Sequence, residues 1–316
     1  MRGRFAPSPT GRMHLGNART ALLGWLQARA AGGQFLLRIE DLDRARSRPE
    51  LVDELFRDLE FLGLTWDEAP LFQSQREEAY RAALEQLSRE GRTYPCFCSR
   101  AEVARAASAP HGPADEGPRY PGTCARRPET ETAARLKERP ATLRFRVQPG
   151  VERFVDLVHG EQSQDVEATV GDFVVRRADG VASYQLAVVV DDADSSITDV
   201  LRADDLLSST ARQLQLYRAL KRSPPRFAHV PLLLGEDHQR LAKREGAFAV
   251  ADLRQAGVSA ERIIGLLARW SGLGDGSPVR AAELVEGFSL SRIPRQPVVA
   301  AEAELNERLL PFWRGG

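Results

Sequence analysis

At 316 residues the chain is long enough for a large core and two or three subdomains. Its hydrophobic (42%) and charged (28%) content is that of an ordinary soluble globular protein, and it has no apolar run that could span a membrane. Lys+Arg and Asp+Glu each total 44, so net charge gives no indication of a nucleic-acid partner, although a neutral protein can still cluster its basic residues. The start of the chain enters a strand pattern without an apolar or Arg-rich leader, from which cytoplasmic residence is expected. A monomer is the expected state, which no feature of the sequence fixes. All three cysteines lie between positions 96 and 124. An odd, clustered count is no disulfide framework, which leaves reduced thiols or a metal site.

In chain order, residues 4–5 form a short strand that breaks at Pro7 and Pro9 and reaches a helix start at Gly16. The helix is expected to run to about Ala31, with Leu22, Leu26 and Arg29 at helical spacing. A turn rich in Pro and Gly that enters a helix leaves backbone N–H groups unpaired above it. His14 and Thr10 stand at that mouth, which suits an anion, phosphate above all. Residues 34–39 read as a buried strand ending in Arg38-Ile39-Glu40-Asp41-Leu42-Asp43. Leu51, Leu55, Leu59 and Leu62 make the next helix amphipathic until Gly63 stops it, and another follows over about 75–90 with Tyr80, Leu84 and Leu87 inward. Alternating strands and helices open a parallel α/β sheet.

Residues 94–124 carry the cysteines, and 106–118 is rich in Ala, Gly, Pro and Ser and is expected to be a loop. From 142 to 190 the texture becomes β: Leu143, Phe145 and Val147 alternate, and short apolar runs follow at 154–158 and 173–175. This predicts an insertion that divides the sheet. Runs 186–190 and 230–234 are expected to resume it as buried strands, with a helix over about 206–220 between them. After Lys243 the pattern is helical, notably over 259–270 with Ile263, Leu266, Leu267 and Trp270.

His14-Leu15-Gly16-Asn17, preceded by Phe5-Ala6-Pro7-Ser8-Pro9-Thr10-Gly11, resembles the HIGH signature of class I aminoacyl-tRNA synthetases in its glutamyl-branch form. The resemblance implies that Thr10, His14, Gly16 and Asn17 hold the phosphates of ATP during adenylate formation. The alternative is an ordinary turn before a buried helix, with His14 a surface residue. Arg240-Leu241-Ala242-Lys243-Arg244 resembles the KMSKS signature in part. Arg240 replaces the first lysine and Ala242 the serine, while Lys243, one of only three lysines, keeps the position whose ammonium would follow the charge on departing pyrophosphate. Taken alone, the pentapeptide would be a solvated basic turn.

By the same resemblance Arg4 pairs with the side-chain carboxylate of glutamate, which an Arg fork fits bidentately. Phe5, Ala6, Pro7 and Ser8 line that pocket, Glu40 receives the α-ammonium, and Tyr184 and Arg202 form a further pair. Val188 stands where the glutamyl branch commonly has Asn, which should weaken or alter one contact. Cys96-Phe97-Cys98 with Tyr120-Pro121-Gly122-Thr123-Cys124 resembles the CxC…YxxxC zinc motif of truncated relatives of glutamyl-tRNA synthetase that act on tRNA(Asp). This implies one structural Zn²⁺ held by Cys96, Cys98, Cys124 and Tyr120. His111 is the chemically more ordinary fourth ligand, and three free buried thiols are the remaining reading.

Only 72 residues follow Arg244, where full-length glutamyl-tRNA synthetases continue into an anticodon-binding region. The expected fold is α/β: a class I synthetase Rossmann-type parallel sheet (1–93 and 184–245) split by an inserted zinc/β subdomain (94–183), with a short C-terminal helical subdomain (246–316). The resemblance implies activation of L-glutamate by ATP with Mg²⁺, then transfer of glutamate to queuosine in the anticodon loop of tRNA(Asp). A shortened enzyme charging tRNA(Glu) and a non-catalytic regulator that binds glutamate and ATP are the alternatives.

Overall fold

The computed structural model describes residues 1–106, 118–239 and 249–309. The chain begins β1 (Arg2–Phe5), α1 (Leu15–Ala30), β2 (Gln34–Ile39), α2 (Pro49–Phe61), β3 (Leu71–Phe72) and α3 (Glu77–Arg89). A second region holds β4 (Thr93–Cys96), α4 (Arg100–Ala106), α5 (Glu129–Glu138), β5 (Thr142–Phe145), β6 (Val151–Asp156), β7 (Gly160–Asp165), α6 (Val166–Thr169) and β8 (Phe173–Arg176). Then come α7 (Tyr184–Asp194), β9 (Asp199–Ala203), α8 (Ser209–Ala219), β10 (Arg226–Val230), β11 (Leu233–Leu234), α9 (Val250–Gln255), α10 (Ala260–Trp270), β12 (Val298–Val299) and α11 (Glu302–Arg308).

The main sheet has seven strands in the order β3-β2-β1-β9-β10-β6-β7, parallel except for the β6–β7 hairpin. Helices cover both faces, because strands buried on both sides need apolar partners on both. On one face α1 packs with α2, α9 and α10 through Leu22, Leu26, Leu59, Leu253, Ile263 and Leu267. On the other, α3, α7 and α8 bury Tyr80, Leu84, Leu186, Val189 and Leu216. Strand order reverses between β1 and β9, so a crevice opens above their carboxyl ends, the usual ligand position in such sheets.

Two sequence expectations are corrected here. Residues 186–190 are not a strand but the middle of helix α7, buried on every side. A short apolar run fits a buried strand and a buried helix equally. The Ser183 Oγ, which accepts from the Leu186 N–H, starts a helix, and the strand position beside β1 belongs to β9. The run 230–234 is split at Pro231, which has no N–H for a ladder, into the end of β10 and the separate β11. The segment 94–183 is also divided by its pairing. Strands β4, β5 and β8 form a small antiparallel sheet, whereas β6 and β7 extend the edge of the main one.

Candidate active site

The turn after β1 delivers the first group. His14 is the N-cap of α1, and its Nδ1 accepts from the Asn17 N–H at 3.2 Å. That bond takes up one free helix donor and leaves the ring proton on Nε2. Burial holds the imidazole pKa below its ordinary value, so the ring is neutral at pH 7 and offers an N–H to an anion. Gly16 leaves room for that ring: a Cβ would lie 3.0 Å from the His14 ring atoms Cε1 and Nδ1, so the imidazole would have to give way by a few tenths of an ångström. Ser8, Thr10 and Asn17 are exposed around the same mouth. The turn is anchored by Glu40 N to Pro7 O (2.9 Å), Arg48 N to Pro9 O (3.2 Å) and Val250 N to Met13 O (2.9 Å). Arg240, Ala242, Lys243 and Arg244 lie outside the described residues, and the chain is next described at Ala249, which pairs with His14.

The second group is a set of buried charges at the carboxyl ends of β1, β2 and β9. Arg4 donates from Nε and Nη2 to the two oxygens of Asp192, at 3.1 and 3.4 Å. Arg38 reaches the same Asp192 and also Glu40, the latter at 3.2 Å. Burial opposes ionisation of Asp192, but Arg38 and Arg4 overcome it and hold its pKa below the usual carboxylate range. Burial pushes the pKa of Glu40 upward despite the same two arginines.

Arg202 differs from both. Its Nε donates to His229 Nε2 at 2.9 Å, and its Nη2 to Thr210 Oγ1 at 3.0 Å and Leu206 O at 3.3 Å. Its Nη1 is buried without a partner. Burial lowers the pKa of this guanidinium, which makes no ion pair among the described residues, so it is a cation in want of an anion. Tyr184, at the first position of α7, sits in the combined field of Arg202, Glu40, Arg4 and Arg38, and burial raises its phenol pKa.

The structure therefore brings Arg4, Glu40, Tyr184 and Arg202 together across nearly two hundred positions of chain. Phe5 turns into the core, Ala6 and Pro7 are half-buried at the strand end, and Val188, one turn beyond Tyr184, is buried and apolar. Asp192, Arg38, His229 and Asp156 were not singled out from the sequence. Arg38 stood inside the quoted run from Arg38 to Asp43, but nothing in one dimension shows that one aspartate serves two arginines.

The third group lies at the small sheet. The Sγ atoms of Cys96, Cys98 and Cys124 fall within 4.8 Å of one another, with Cys98 and Cys124 at 3.6 Å. Thiolates about 2.3 Å from a tetrahedral ion sit about 3.8 Å apart, so this cluster can hold a metal. The Tyr120 hydroxyl lies 3.4 Å from Cys96 Sγ and 4.0 Å from Cys98 Sγ, and accepts from the Cys124 N–H at 2.9 Å. Burial works against the Cys124 thiolate, yet a backbone bond at Phe97 and the Arg127 guanidinium bring its pKa to about 7. Burial and the neighbouring Cys96 push Cys98 up to about 11. Arg144 stacks 3.7 Å from the Tyr120 ring centroid and donates to Cys96 Sγ at 3.3 Å, supplying positive charge to a thiolate site. His111 lies outside the described residues.

Comparison with known proteins agrees with this geometry. The model of the family described as tRNA synthetases class I (E and Q), catalytic domain, matches residues 1–307. The chain is 56% identical over 306 residues to the glutamyl-Q tRNA(Asp) synthetase of Symbiobacterium thermophilum, covering 94% of each chain. It is 45% identical to the glutamate–tRNA ligase of Geobacter sulfurreducens over 93% of its own length but 62% of the ligase. The crystal structure of the glutamate–tRNA synthetase of Elizabethkingia anophelis superposes with a TM-score of 0.84 at 28% identity, over 97% of this chain and 69% of that one. A signature turn capped by His14, a parallel sheet reversing order beside it and a match along almost the whole length agree: the chain belongs to the class I (E and Q) tRNA synthetases.

Proposed function

We propose that this ligase-type enzyme activates L-glutamate with ATP to glutamyl-AMP and transfers the glutamyl group to queuosine in the anticodon loop of tRNA(Asp). The observation that carries the activation step is Arg202, a buried guanidinium with one nitrogen unpaired, beside Tyr184 and across from Glu40. A dicarboxylic amino acid complements that set. Its side-chain carboxylate meets the Arg202 and Arg4 side, and its ammonium meets Glu40, a carboxylate whose pKa burial raises although Arg38 bonds it at 3.2 Å. The choice of acceptor is supported by the relative from Symbiobacterium, matched along nearly its whole length.

In the reaction the α-carboxylate of glutamate attacks the α-phosphorus of MgATP and pyrophosphate leaves. His14 Nε2–H and the N–H groups at the head of α1 stabilise the added negative charge. Lys243, outside the described residues, would join them by the likeness of Arg240–Arg244 to the KMSKS signature. A queuosine hydroxyl then attacks the activated carbonyl carbon. An ester forms, and AMP departs with the electron pair of the anhydride bond.

The metal at the thiol cluster is zinc on this reading, since three soft thiolates and one oxygen suit it in a closed structural site. It would tie the strand end at Cys96 to the segment carrying Tyr120 and Cys124. One equivalent of zinc is expected in protein purified without chelators, and its loss together with a lowered Tm in Cys98→Ser. Tyr120→Phe should weaken zinc retention. Unchanged retention would point to another fourth ligand.

The reaction is tested by transfer of radiolabelled glutamate to tRNA(Asp) with and without queuosine, beside tRNA(Glu). Label on queuosine-bearing tRNA(Asp) alone is expected. Label on tRNA(Glu) instead would make the chain a charging enzyme, as the Geobacter relative is named. Absence of pyrophosphate exchange despite ATP binding would make it a regulator.

A further inference from the structure

Arg202, His229 and Asp156 lie on adjacent strands β9, β10 and β6, and all three are buried. The hydrogen bonds joining them run in one direction. Arg202 Nε can only donate, so His229 Nε2, 2.9 Å away, must be bare. The imidazole proton then sits on Nδ1 and is donated to Asp156 Oδ2 at 2.7 Å. Asp156 is held in turn by the N–H groups of Val158 (3.0 Å) and His159 (2.9 Å) on Oδ1, and of His229 on Oδ2 (3.1 Å). Were His229 protonated on both nitrogens, N–H would face N–H and cation would face cation. Burial prevents this, drawing the imidazole pKa down to about 4.

We infer that Asp156 and His229 are positioning residues that fix the orientation of Arg202 and so decide how well the pocket selects a carboxylate-bearing substrate. With Nε on His229 and Nη2 on Thr210, the guanidinium plane is set and Nη1 is the edge left for a ligand. A guanidinium released from His229 has another attraction nearby, Asp192, whose charge acts on it. Asp192 already serves Arg4 and Arg38, and a third arginine turning to it would remove the receptor from the pocket. The dyad thus keeps one buried arginine available to substrate beside two that are committed. Part of the device arrives from outside the nucleotide-binding halves, since Asp156 comes from the hairpin that extends the sheet edge beyond β10.

This inference rests on Arg202 being the glutamate receptor, and its tests separate the two claims. In Asp156→Asn the oxygen is retained where two N–H groups donate, which turns the amide nitrogen toward His229 Nδ1. The ring proton must then move to Nε2 and confront Arg202. In glutamate-dependent ATP–pyrophosphate exchange, Asp156→Asn and His229→Leu are expected to raise the KM for glutamate by about 10- to 100-fold. The KM for ATP should stay unchanged, and preference for glutamate over glutamine should fall. His229→Gln, which retains an acceptor oxygen for Arg202 Nε, should recover part of the loss. An unchanged glutamate KM, or an equal rise in the KM for ATP, would overturn the inference.

The independent readout is the ¹⁵N spectrum of the five histidines, with His229 assigned by its loss in His229→Gln. A bare Nε2 on His229 in the wild type, becoming protonated in Asp156→Asn, supports the positioning role. A protonated Nε2 in the wild type refutes it. Should glutamate drive no exchange at all, the receptor reading falls, while the spectrum still decides the positioning.

Discussion

Arg202→Leu is expected to reduce kcat/KM for glutamate by about 10²–10³-fold, roughly 3–4 kcal/mol of transition-state binding, while the melting temperature holds or rises. Both halves follow from the same fact. Arg202 is a buried cation whose nearest partners are a neutral imidazole, a hydroxyl and a carbonyl, so the fold bears a desolvation cost that these bonds offset in part and a bound anion would offset further. Removing the charge abolishes recognition of the carboxylate and relieves that cost. Arg202→Lys should fall between, keeping the charge but losing the fork that sits on His229 and Thr210. Exchange kinetics with glutamate varied, beside thermal melts of all three proteins, check the prediction. A variant that melts well below the wild type would mean that Arg202 is a structural cation.

Asp192→Ala is expected to do the opposite, destabilising the protein by about 3–5 kcal/mol by leaving Arg4 and Arg38 buried without their shared carboxylate. The pH dependence has a definite sign. The folded-state pKa of Asp192 lies below its ordinary value of 3.8. Its contribution is therefore fully present above pH ~4 and is lost as pH falls through the lowered folded value. Denaturant curves for wild type and variant should differ by the full amount at pH 7 and converge in strong acid. A constant gap down to pH 2 would show that Asp192 acts through packing alone. Asp192 also bears on selectivity: with both its oxygens on Arg4, it limits what Arg4 can offer a substrate, which makes the free edge of Arg202 the stronger receptor.

The local chemistry of the site was legible in one dimension because it is local. A Pro-Gly turn, a histidine three residues before Asn17 and a glycine that clears the ring are adjacent in sequence, and together they shape the mouth of α1. The strand at β2, the amphipathic α2 and α3 and the thiol pair Cys96 and Cys98 depend likewise on spacing along the chain. Tertiary structure decided what depends on neighbours. The run 186–190 became a helix because the position beside β1 was taken by β9. The apolar run 154–158 supplied the end of β6, which joins the main sheet between β10 and β7, and with it Asp156. Which arginine is committed and which is free also depends on pairings such as Arg4 with Asp192 and Arg202 with His229, made between residues 188 and 27 positions apart. Periodicity records which side of an element is apolar. Only packing the strands side by side sets which buried charge meets another, because that is where water is excluded and a pairing is enforced.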